Sequence, residues 1–84
     1  MSYSVYLPTC MEEVDIDDDN IDVCVRTNEG IEYTFVVATE LNLKRIPGVR
    51  VLVVDQLTLP NIENCIHKIM KQSIETIEYY GKNY

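Results

Sequence analysis

The chain has 84 residues, 46 % hydrophobic and 25 % charged, which predicts one globular domain over residues 1–84 and excludes a disordered chain. Its formal charge of −7 argues against direct nucleic-acid binding by phosphate neutralisation. No apolar run approaches the roughly 18 residues of a membrane span, and Met1–Leu7 lacks a cationic start, so a cytoplasmic protein without a membrane partner is expected.

Tyr3-Ser4-Val5-Tyr6-Leu7 alternates and stops at Pro8, the pattern of a short edge strand. An acidic loop follows at about residues 8–20. Residues 1–40 carry ten acids against Arg26 alone, a balance of −9, whereas residues 41–84 carry +2. Seven of those acids lie between Glu12 and Asp22 with no base among them. Like charges that dense repel one another, so the loop is expected to be extended, solvated and outside the core. Read as a binding feature, Glu12, Glu13, Asp15, Asp17, Asp18, Asp19 and Asp22 form a negative face for a basic protein. Read as a bland one, they keep the chain soluble. Tyr3 and Tyr6 join them as candidate contacts, because tyrosine combines an apolar ring with a hydroxyl and is enriched at interfaces.

Calcium is a third reading of the same stretch. Asp15, Asp17 and Asp19 match the first ligand positions of an EF-hand loop, but Arg26 stands at the twelfth, where a bidentate glutamate is needed. A cation there repels the ion, so no metal is expected.

Ile21–Thr27 and Ile31–Ala38 both alternate, joined by Asn28-Glu29-Gly30 with glycine at the position that usually needs a positive φ. This predicts a β-hairpin burying Ile21, Val23 and Val25 on one strand and Ile31, Tyr33, Phe35 and Val37 on the other. Thr39–Ile46 is a connector with one helical turn, closed by Pro47-Gly48. Val49–Val54 is almost wholly apolar, which predicts a strand buried on both faces. Thr58 is the expected N-cap of a helix from about Asn61 to Tyr80, with Pro60 tolerated in its first turn. Ile62, Ile66, Ile69, Met70, Ile74 and Ile77 fall on one stripe, and Asn64, Lys68, Lys71 and Glu75 lie opposite. Gly81 is the expected stop, and Ser73 is a point at which the helix divides. Together these elements predict an α+β fold: a small antiparallel sheet of about four strands under one long C-terminal helix, in two layers.

Cys10, Cys24 and Cys65 are odd in number and widely spaced, so free thiols are expected. Cys65 and His67, two apart on a helix, point about 200° away from each other and cannot share an ion. With one histidine and three glycines, the chain has little from which to assemble a catalytic site. The expectation is a non-enzymatic protein with no cofactor.

Val37-Ala38-Thr39-Glu40-Leu41-Asn42-Leu43 is similar to the V-x-T-P-x-W-L stretch of a group of small bacterial immunity proteins of polymorphic and contact-dependent toxin systems. Leu52–Thr58 with Ile62 and Ile66 is similar to that family's L-I-V-x-x-Y-D-x-x-x-I-x-x-x-I. The likeness covers about residues 21–70. Glu40 stands in place of proline, Asn42 of tryptophan, Leu57 of tyrosine and Thr58 of aspartate. The resemblance implies a protein that binds and neutralises a toxin made by the same cell, and it carries no catalytic residues. The partner expected from residues and resemblance together is a protein with a basic surface, such as a nuclease toxin. A virus-encoded inhibitor of a host nucleic-acid-binding defence protein and a small regulatory subunit of a larger complex are the alternatives.

Overall fold

The computed structural model describes residues 2–46 and 50–81. The fold is α+β: a four-stranded sheet in the order β1-β2-β3-β4, with helices on one face. The strands are β1 (Tyr3–Tyr6), β2 (Asn20–Thr27), β3 (Glu32–Thr39) and β4 (Val51–Val54), and the helices are α1 (Glu40–Leu43), α2 (Leu59–Met70) and α3 (Ile74–Tyr80).

The β2–β3 hairpin forms where the alternation predicts. Gly30 takes φ +87 at the turn, and Thr27 and Ile31 close it through the Thr27 N–H on the Ile31 carbonyl at 2.8 Å. Register pairs Val23 with Phe35 and Val25 with Tyr33, so these side chains share the helix-covered face. Ile31, expected inside, is 39 % exposed because β3 begins one residue later and leaves it in the turn.

Two expectations about architecture are corrected. The sheet is mixed rather than antiparallel: β4 pairs parallel to β3, with Val36 opposite Val51 and Thr39 opposite Val54. The connection that carries α1 returns the chain to the same end of the sheet before β4 starts, which parallel pairing requires. β4 also lies at an edge and is only half-buried, so its apolar run is not that of a strand covered on both faces. The expected start of this strand, Val49, lies outside the described residues, as do Pro47-Gly48.

The long helix is two short ones. Ser73 ends α2's run and caps α3, its hydroxyl accepting the Thr76 N–H at 3.3 Å. The break shifts the helical phase: Ile62, Ile66, Ile69, Met70 and Ile77 remain buried, while Ile74 is turned out and 51 % exposed. Thr58 caps α2 as expected, accepting the Asn61 N–H. Gly81 ends α3 and lies against the core. A Cβ placed there would come within 2.6 Å of the Phe35 ring, so the chain can pass so close to β3 only with glycine.

The core joins Ile21, Val23, Val25, Tyr33, Phe35 and Val37 of the sheet to the buried face of α2 and α3. Leu57, just before α2, is completely buried in the same cluster. The opposite face of the sheet carries Tyr6, Asp22, Cys24, Arg26, Glu32, Thr34, Val36, Val51 and Val53. Among the described residues no helix is long and apolar enough to cross a membrane.

Candidate functional site

The acidic loop is less free than its charge predicts. Leu7, Met11 and Val14 pack against the core, at a spacing that lets the 3-10 turn Met11–Glu13 keep Glu12 and Glu13 in solvent. The loop then crosses to the end of the sheet where β3 and β4 give way to α1 and the turn before α2. There the Leu57 N–H donates to the Ile16 carbonyl at 2.8 Å, and the Thr39 N–H donates to the Asp19 carbonyl at 3.1 Å.

Its carboxylates divide by role. Asp15 accepts the Asp17 N–H at 3.1 Å, and the Asp15 N–H in turn donates to Asp19 Oδ2 at 3.2 Å. Asp17 accepts Gln56 Nε2 at 2.7 Å, tying the loop to the residues before α2. Asp18 accepts from both Arg45, at 2.6 Å, and Asn42 Nδ2, at 3.3 Å; its side chain is 15 % exposed. Asn42 is buried at the start of α1 and also accepts Asn20 Nδ2 at 2.8 Å. Thr39, fully buried, serves two N–H groups with one hydroxyl, those of Asp19 and Asn42. The stretch is therefore a bracket tied at several points to α1 and the β4–α2 turn, while most of its acids remain exposed. Local repulsion is offset because each inward carboxylate meets a donor, and charge-assisted hydrogen bonds are the stronger kind.

Glu12, Glu13, Asp15 and Asp17 are left on the outer surface of that bracket. Among the described residues, Asp18 is the one acid of the stretch with a cation within 4 Å. Asp22 is exposed on the open face of β2. The two tyrosines do not share a surface. Tyr3 pairs with Thr27 and faces the helices, where its hydroxyl meets His67 Nδ1 at 3.3 Å. Tyr6 pairs with Cys24 on the open face and is 53 % exposed. Beside it, hydrogen bonding to the Cys24 thiol raises the Tyr6 phenol above its ordinary range, with the charges of Cys24 and Glu32 adding to the effect. Of the nine candidates, Glu12, Glu13, Asp15 and Asp17 are exposed on the loop, Asp22 and Tyr6 lie on the open sheet face, Asp18 and Asp19 are structural, and Tyr3 belongs to the helix side.

Sequence reasoning missed Asn42, Arg45 and Gln56, which hold the bracket in place. The available signal was a polar residue inside Leu41-Asn42-Leu43, three positions after the helix-capping Thr39. The thiols of Cys10, Cys24 and Cys65 are free. Burial pushes the Cys65 thiol up, partly opposed by Lys68. Comparison with family models, with curated proteins and with solved structures finds no match in any of the three.

Proposed function

We propose that this chain is a non-catalytic acidic binding protein, an immunity or inhibitor protein that covers a basic surface of a cognate toxin. A nuclease is the partner class that fits best, because its positive groove attracts a negative protein without any chemistry. The observation that supports this reading is the bracket itself. Glu12, Glu13, Asp15 and Asp17 stand outward on a backbone tied to α1 and to Gln56, so their charge is presented at little further ordering cost on binding.

The test is to isolate the tagged protein from its native host and identify the partner by mass spectrometry. The partner's activity is then measured with and without the chain, together with association at two salt concentrations. The proposal requires a basic partner whose activity the chain abolishes. Glu12→Gln/Glu13→Gln/Asp15→Asn should slow association, most strongly at low salt, since charges are screened beyond about 8 Å near 0.15 M. A partner that stays active in the complex, or an association rate indifferent to these three changes at low salt, refutes it.

A further inference from the structure

We draw no further inference here: the strongest candidate, the groove between β4 and the helices along the free edge of the sheet, carries none, because nothing in the structure shows what covers that edge.

Discussion

Replacing Asp18 by alanine tests whether the acidic stretch is a bracket or a loose loop. The Asp18 carboxylate accepts from Arg45 and from Asn42, and the two contacts differ in weight. Arg45 is 63 % exposed on its side-chain surface, so its ion pair is screened and contributes about 0.5–1 kcal/mol. Asn42 is buried, so removing its acceptor strands an amide N–H at about 1–3 kcal/mol. Asp18→Ala should therefore destabilise the fold by about 1.5–4 kcal/mol, while Arg45→Ala costs about 0.5–1 kcal/mol. Asp18→Asn keeps an acceptor for Asn42 and should fall near the arginine variant. Urea unfolding followed by far-ultraviolet circular dichroism measures this directly. With a slope of about 1 kcal/mol per molar for a chain of this size, Asp18→Ala should lower the midpoint by about 1.5–4 M. An Asp18→Ala midpoint within about 0.5 M of the parent would mean that Asp18 does not tie the stretch to the fold. A cost for Asp18→Asn equal to that for Asp18→Ala would assign the effect to charge rather than to the buried amide.

Ile66→Ala should cost about 2–5 kcal/mol because the side chain is fully buried, whereas Ile74→Ala, past the Ser73 break, should cost under about 1 kcal/mol in the same unfolding assay. In the native protein, iodoacetamide followed by mass spectrometry should modify exposed Cys10 well before Cys65, which is half-buried and whose thiol is held up by burial. Burial likewise raises the Tyr33 phenol, with Glu78 and Glu29 adding to the shift. Its folded pKa thus exceeds its unfolded one, so this contribution is complete below about pH 10 and is lost as pH climbs above it. Tyr33→Phe should move the alkaline unfolding midpoint upward, as read by circular dichroism against pH.

Much of the fold is legible in local chemistry. The β2–β3 hairpin follows from period-two alternation around Gly30, whose positive φ the turn requires. The cap at Thr58 follows from a hydroxyl placed three residues before the N–H group it accepts. The inward stripe of Ile62, Ile66 and Ile69 follows from helical spacing. Each of these is settled within a few residues, where the backbone's own geometry selects among few alternatives.

The direction and position of β4 are not settled at that range. An apolar run fits a covered strand and a bare edge equally well, and only the pairing of β4 with β3 decides that it runs parallel at the sheet's margin. Nor does charge density by itself place the acidic stretch. Repulsion among its seven acids predicts an extended loop, but the donors that offset it, Asn42, Arg45 and Gln56, lie from 24 to 39 positions away along the chain. Separating Tyr3 from Tyr6 likewise depends on the β1–β2 register, which turns one ring toward His67 and the other toward the open face. Composition determined that the protein is acidic and where along the chain its acids gather. Tertiary contacts decided which of those acids hold the fold together and which remain exposed, because a carboxylate's role depends on the donors that folding brings to it.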